Sequence, residues 1–244
     1  MTGQFSIHVN EVRKKLGPNQ ALAGVSLEFA EGKMHGIIGP EGAGKTTLMR
    51  TLLGLLRPDG GYIEYREDGA PLEFEVVRPR MAYMPQQQSL YPDLSIDEHL
   101  EFFRALYQIP PEEFRTRREE LLDITRLGPF VDRAAAQLSG GMYKKLGLMC
   151  ALLRSPEIML LDEPTNGVDP ISRREFWELL YRLADRQILI LVATAYMDEA
   201  ERCSMVHLLE SGRAVAEGEP RALLAREGAR TFDELFLRHA EATS

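Results

Sequence analysis

The stretch Gly39-Pro40-Glu41-Gly42-Ala43-Gly44-Lys45-Thr46-Thr47 constrains this chain more than any other. It fits G-x-x-x-x-G-K-[ST], in which a strand runs into a glycine-rich loop and then a helix. The flanks agree. Met34 to Gly39 reads as a short buried strand, and Lys45 to Leu56 as a helix with apolar Leu48, Met49, Leu52, Leu53 and Leu56. The glycines let successive backbone N–H groups turn toward an anion, above the positive end of the helix dipole. Lys45 is then expected to reach the β- and γ-phosphates of a nucleotide, and the Thr46 hydroxyl to hold Mg²⁺.

Two more segments read as parts of the same machine. Ile158 to Leu161 is an apolar strand ending in Asp162 and Glu163. In phosphate-loop NTPases an aspartate so placed joins the Mg²⁺ shell. Glu163 follows it, placed to orient or deprotonate an attacking water. Leu138-Ser139-Gly140-Gly141-Met142 is a second glycine-bearing loop at a helix N-terminus, again suited to a phosphate. One nucleotide rarely needs two such loops, so the second is expected to serve a nucleotide held by another subunit.

The rest of the chain surrounds these segments. Strands are expected at Phe5 to Val12, Leu22 to Phe29, Tyr62 to Tyr65, Met81 to Met84 and Ile188 to Ala193, with Met205 to Leu209 and Arg213 to Ala216 paired around Ser211-Gly212. Ser95 with Glu98 forms a capping box that opens a helix to about Tyr107. Pro110-Pro111 starts a helix to Arg126, and Ser139 caps one through Leu153. Later helices are expected near Ser172 to Asp185, Glu219 to Arg226 and Phe232 to His239. Residues from about 95 to 153 thus read as a helical subdomain between α/β segments, with Arg115, Arg117 and Arg118 on a solvated face. His8, His35, His99 and His239 are scattered without metal-ligand spacing, and His207 is expected as a solvent-facing strand residue.

Composition narrows the class. A net charge of −8 gives no general attraction to nucleic acid or to an acidic membrane. Cys150 and Cys203, with no metal-ligand spacing, fit a reducing cytoplasmic setting. MTGQFSIHVN lacks the pattern of a secretory signal, and no apolar run approaches the length of a membrane span.

Taken together, the phosphate loop, Gln86, Leu138-Ser139-Gly140-Gly141, Asp162-Glu163 and Asn166-Gly167-Val168-Asp169 resemble the ATP-binding cassette of ABC transporters over essentially the whole chain. The phrases GAGKTTLMR, SGGM, VDPISRRE and MDEAERC are most similar to the type-2 exporter branch and its tandem-cassette multidrug exporter ATPases. The resemblance implies an α/β fold: a phosphate-loop NTPase (RecA-like) core with an antiparallel β subdomain and an inserted α-helical subdomain. It implies one ABC ATP-binding domain over 1–244, with about 1–94 and 154–244 as core and about 95–153 as helical subdomain.

The family's pattern also implies roles, residue by residue. Two cassettes pair head to tail around ATP and Mg²⁺. Gly39 to Thr47 and Leu16 would hold this chain's nucleotide, and Thr46, Gln86 and Asp162 the metal. Glu163, Gln86 and Lys45 would serve hydrolysis. Ser139, Gly140 and Gly141 would clamp the nucleotide of the second cassette, with Asp169 at the seam. Transmembrane permease subunits would dock on the stretch from Gln88 through Tyr107, at the cytoplasmic face of a bacterial inner membrane.

Three positions depart from that pattern. Ala195 stands where the family usually has a histidine that contacts the γ-phosphate, and alanine has no side-chain donor. Glu41 replaces a neutral residue in the phosphate loop, and Leu16 replaces the aromatic that stacks on adenine. The expectation is a site that binds ATP and hydrolyses it weakly, in a heterodimer or one half of a tandem polypeptide. Two alternatives remain open to such a cassette: a soluble ABC ATPase acting on ribosomes or DNA, which usually carries a second cassette or a coiled coil, and a regulatory ATP-binding subunit that never turns over.

Overall fold

The computed structural model describes residues 4–87 and 90–243, with side chains through His239. Met1–Gly3 and Ser244 of the expected domain, and Gln88 at the start of the expected docking stretch, lie outside the described residues. In chain order the strands are β1 (Phe5–Leu16), β2 (Asn19–Ala30), β3 (Met34–Ile38), β4 (Gly60–Glu67), β5 (Ala70–Leu72), β6 (Met81–Met84), β7 (Ile158–Asp162), β8 (Leu189–Thr194), β9 (Met205–Glu210) and β10 (Arg213–Gly218). The helices are α1 (Lys45–Leu52), α2 (Phe74–Val77), α3 (Ile96–Tyr107), α4 (Pro111–Thr125), α5 (Gly140–Leu152), α6 (Pro170–Ala184), α7 (Pro220–Arg226) and α8 (Phe232–Thr243).

Two sheets organise the chain. The antiparallel one has the order β2-β1-β4-β5, and the larger one β10-β9-β3-β8-β7-β6. In the larger sheet only β10 runs antiparallel to its neighbour. The period-2 alternation of a strand explains why its central strands are apolar throughout. Ile158 and Leu160 of β7 enter one core with Leu48, Met49 and Leu52 of α1 and with the antiparallel sheet. Met159 and Leu161 enter a second core with Leu146 of α5 and Trp177 of α6. Helix α1 therefore lies between the sheets, and α3 to α6 cover the far face.

Most expected elements are present, and the differences have local causes. Helix α1 stops at Leu52, because Gly54 turns left-handed at φ 66° against Phe74, where a Cβ would lie 2.5 Å from the ring. Helix α6 begins at Pro170 and not near Ser172, since Asp169 caps it by accepting from the N–H groups of Ile171 and Ser172. The capping box of Ser95 and Glu98 is formed in full. Of the three arginines expected on a solvated face, only Arg115 stays on its own helix. Arg117 also reaches the Leu153 carbonyl and Arg118 reaches Asp97, so both tie α4 to its neighbours.

The histidines need a correction. His207 is fully buried, not solvent-facing, and His35 is 2% exposed. They lie 172 residues apart in sequence, yet His35 Nδ1 and His207 Nε2 are 3.0 Å apart. Glu217 Oε2 stands 3.2 Å from His207 Nδ1. Burial first, and His207 second, push the His35 pKa down from 6.5 to about 4; Lys33 adds to this, while the Ala30 backbone and Glu217 oppose it. A folded pKa below the unfolded value means the unfolded chain binds the extra proton. Stability is therefore complete above about pH 6.5 and is lost as pH falls toward about 4. Thermal melts should show a loss on the order of 2 kcal/mol between pH 7 and pH 5 from this group. His35→Gln should flatten that slope.

Candidate functional site

The phosphate loop follows β3, Asp162 and Glu163 end β7, and Ala195 follows β8. The parallel register aligns Ile38 with Thr194 and Asp162 with Ala193, so all three segments leave the sheet at one edge. That edge, at the carboxyl ends of parallel strands, is where α/β sheets bind ligands.

Backbone constraints explain the glycines of the loop. Gly42 and Gly44 have φ of 79° and 106°, which L side chains rarely adopt. A Cβ on Gly44 would lie 2.5 Å from the Ala21 carbonyl oxygen, and one on Gly39 would lie 2.1 Å from that of Leu209. The loop is thus pressed between β2 and β9. Beside it is an open cleft of about 360 Å³, lined by Leu16, Asn19 to Ala21 and Gly42 to Thr47. Leu16, at 43% exposure, sits on its rim as an apolar cover. Glu41 is exposed, and among the described residues its side chain joins no ion pair.

The charged side chains converge as the sequence requires. The Lys45 ammonium donates to the carbonyls of Gly39 and Pro40 at 2.8 and 2.9 Å, and lies 3.4 Å from Glu163 Oε1. The Thr46 hydroxyl donates to Asp162 Oδ1 at 3.1 Å. Burial pushes the Glu163 carboxyl above the usual carboxylate range, against the opposing pull of Lys45 and of the Ala195 N–H. Glu163 itself is held at φ 49°, a conformation that only its surroundings can maintain. The hydroxyl of Thr46 and the carboxylate of Asp162 are hard oxygen donors side by side, the set that Mg²⁺ takes. The amide-lined loop with its cleft suits a triphosphate. The residues fit both groups.

Sequence reasoning missed two members of this cluster. The Tyr83 hydroxyl donates to Asp162 Oδ2 at 3.2 Å, and burial, with Asp162 next, pushes its pKa up to about 12. Lys144 of α5 donates to the Gln86 carbonyl at 3.3 Å. Burial pulls its pKa down while Glu163 and Asp162 push it up, so it stands within the field of both carboxylates. The only available signal was their place: Tyr83 on a strand beside β7, Lys144 five residues past Ser139. For Gln86 it is the carbonyl that is engaged; the side chain is exposed.

The second glycine loop belongs to a different cluster. Ser139 caps α5 by accepting from the Met142 N–H at 3.3 Å, and both Ser139 and Gly140 are exposed. A Cβ on Gly141 would lie 2.4 Å from Ser172 Cβ, and one on Gly140 would lie 3.5 Å from the Gly167 carbonyl oxygen. The Ser139 loop thus packs on the segment from 167 to 172, which contains Asp169.

The profile of the ABC transporter family matches residues 22–166, a span that takes in the phosphate loop, Gln86, the Ser139 loop, Asp162 and Glu163. The chain belongs to the ABC transporter family. It carries that family's ATP-binding domain, on the phosphate-loop NTPase fold expected from the motifs. It is 44% identical over 218 residues to the probable multidrug ABC transporter ATP-binding protein YbhF of Escherichia coli (strain K12). That alignment covers 87% of this chain and 37% of YbhF, so the chain spans little more than a third of that relative. It is 38% identical over 234 residues to the Nod factor export ATP-binding protein I of Paraburkholderia xenovorans (strain LB400), covering 96% of this chain and 77% of the relative. Among solved structures, an ATP binding subunit of an ABC transporter superposes with a TM-score of 0.81 at 30% identity, covering 95% of this chain and 98% of that one. The resemblance to multidrug exporter cassettes is borne out at this level.

Proposed function

We propose that this ABC cassette is the ATP-hydrolysing subunit of a membrane exporter, with a weakened site of its own and an intact loop for a partner's nucleotide. The reading is carried by one observation: buried Lys45, Asp162 and Glu163 meet half-buried Thr46 in one cluster, while Ser139 and Gly140 stand exposed at a second helix N-terminus. A loop that faces outward is suited to a nucleotide that another cassette holds.

Within this reading, Gly39 to Thr47 cradle the phosphates and Leu16 covers the base. Thr46 and Asp162 hold Mg²⁺, with the exposed Gln86 side chain as a further ligand. When bound, Mg²⁺ would supply positive charge to offset the negative charge of the phosphates. Lys45 leaves the Gly39 and Pro40 carbonyls for the phosphates. Glu163, its carboxyl made more basic by burial, accepts a proton from the attacking water. Ala195 offers only its backbone at the place where a side-chain donor would steady the γ-phosphate, which is why the site is read as weak. We take the chain as one ATP-binding domain, with residues 95–153 as its helical subdomain.

The permease is assigned to the α3 side. A cavity of about 260 Å³ lies between β6, α3 and α5, lined by Tyr83, Leu90, Phe103, Tyr107 and Cys150 among others. Tyr91, Phe102 and Leu106 are exposed beside it. Among the described residues no helix is long and apolar enough to cross a membrane, so in this reading the cassette is held at the inner membrane's cytoplasmic face by that contact. The multidrug and Nod factor exports named for the relatives support export as the direction. The test is sedimentation of Glu163→Gln with a second cassette. Mg-ATP should drive association, and Ser139→Glu, which sets a carboxylate where the partner's phosphates would lie, should abolish it. Association that ignores Ser139→Glu overturns the clamp.

A further inference from the structure

The carboxylate of Glu199 takes no part in the site described above, yet it is completely buried. It lies in the short 3-10 turn Met197–Arg202, just after Ala195 and Tyr196. Its Oε1 accepts from three donors: Thr165 Oγ1 at 2.5 Å, Arg173 Nε at 2.8 Å and Trp177 Nε1 at 3.1 Å. Its Oε2 is buried with no hydrogen-bond partner among the described residues. Charge neutralisation alone would favour a two-oxygen pairing with arginine. Instead Arg173 Nη2 turns to Asp198 at 2.9 and 3.0 Å, and the guanidinium lies 4.6 Å over the Tyr196 ring.

The three donors come from parts of the fold with separate duties. Thr165 sits two residues past Glu163, in the turn closed by the Asn166 N–H to the Glu163 carbonyl at 3.2 Å. Arg173 and Trp177 stand four apart on α6, whose N-terminal turn packs on the Ser139 loop. The Tyr196 hydroxyl donates to Asn166 Oδ1 at 3.3 Å, a second strand of the same link. One oxygen atom thus joins the end of β8, the turn after β7 and the helix that follows the seam.

We propose that Glu199 is a positioning residue that aims Glu163 through Thr165 and passes any shift of that turn to α6 through Arg173 and Trp177. The inference rests on the reading of Glu163 as the hydrolytic carboxylate. Trp177 is the single tryptophan of the chain, so its emission reports on Glu199 directly. In the parent protein Mg-ATP should shift that emission. Thr165→Val removes one donor and keeps the shape. It should bind Mg-ATP in calorimetry as the parent does, lose the Trp177 response, and show kcat lowered about tenfold at unchanged KM. Thr165→Ser, which restores the hydroxyl, should restore both; Thr165→Ala replaces the valine variant if that one fails to fold. A valine variant that melts earlier but keeps its emission response and kcat assigns Thr165 to stability alone and overturns the proposal, as does a parent that binds Mg-ATP with no change in emission. A parent that binds no Mg-ATP fails in the calorimeter instead, and removes the nucleotide reading together with this one.

Discussion

Ala195→His is expected to raise the rate of ATP hydrolysis at this chain's own site by about 100-fold. The size follows from what one preorganised donor to the transferring phosphoryl group is worth, on the order of 10²–10³ in rate. Ala195 is half-buried directly after β8, and its N–H is a bonding partner of the Glu163 carboxyl. A side chain added there starts next to the Glu163 carboxyl. The measurement is phosphate release at saturating Mg-ATP, with the partner cassette's own hydrolytic carboxylate removed so that one site is read. No gain would mean that a neighbour already supplies the contact, and the weak-site reading would fall.

Glu163→Gln in that histidine background is expected to lower hydrolysis by about 10²–10⁴, the usual worth of a positioned general base. Mg-ATP binding should survive. Lys45 gives up only its ion pair with Glu163 and stays available to the phosphates, and Thr46 keeps Asp162. Stability should change little, because burial already disfavours the ionised carboxylate and an amide of the same shape relieves that penalty. Binding measured by calorimetry beside the rate separates the outcomes. Hydrolysis that persists in the glutamine variant would assign proton removal to another group.

The central strands and the phosphate loop were legible because they are local patterns: apolar runs of strand length, and glycines at fixed offsets before Lys45. The caps at Ser95 and Ser139 were legible for the same reason. Gly54 lies inside the apolar period of the expected helix, and only the approach of Phe74, 20 residues on, makes it a stop. The strand Ala70–Leu72 and the four-residue helix Phe74–Val77 were too short to carry a period. In the site, Lys45, Thr46, Asp162 and Glu163 were found from their motifs, whereas Tyr83 and Lys144 were not. They arrive from β6 and α5, and nothing in their own neighbourhoods marks them. The buried partners His35 and His207 show the same limit more sharply, since each alone reads as an unremarked strand residue. Glu199 sits in MDEAERC, a run that carries the family resemblance but no local sign of burial; its buried oxygen is met by Trp177, which is distant in sequence.

The corner at Gly212 gives the cradle its outer wall. Its N–H donates to the Ala43 carbonyl at 3.0 Å, and its own carbonyl accepts from the Ala23 N–H at 2.7 Å. One peptide late in the chain therefore bolts the phosphate loop to β2. Strand β8, which separates β3 from β7, also lies beyond residue 166. A fragment trimmed to the family-matched span of 22–166 would keep the phosphate loop, Gln86, the Ser139 loop and Asp162-Glu163 in its text while losing both the spacer that sets Lys45 opposite Glu163 and the bolt behind Ala43. The nucleotide pocket is the property of the finished tertiary enclosure, not of the signature segments it is recognised by.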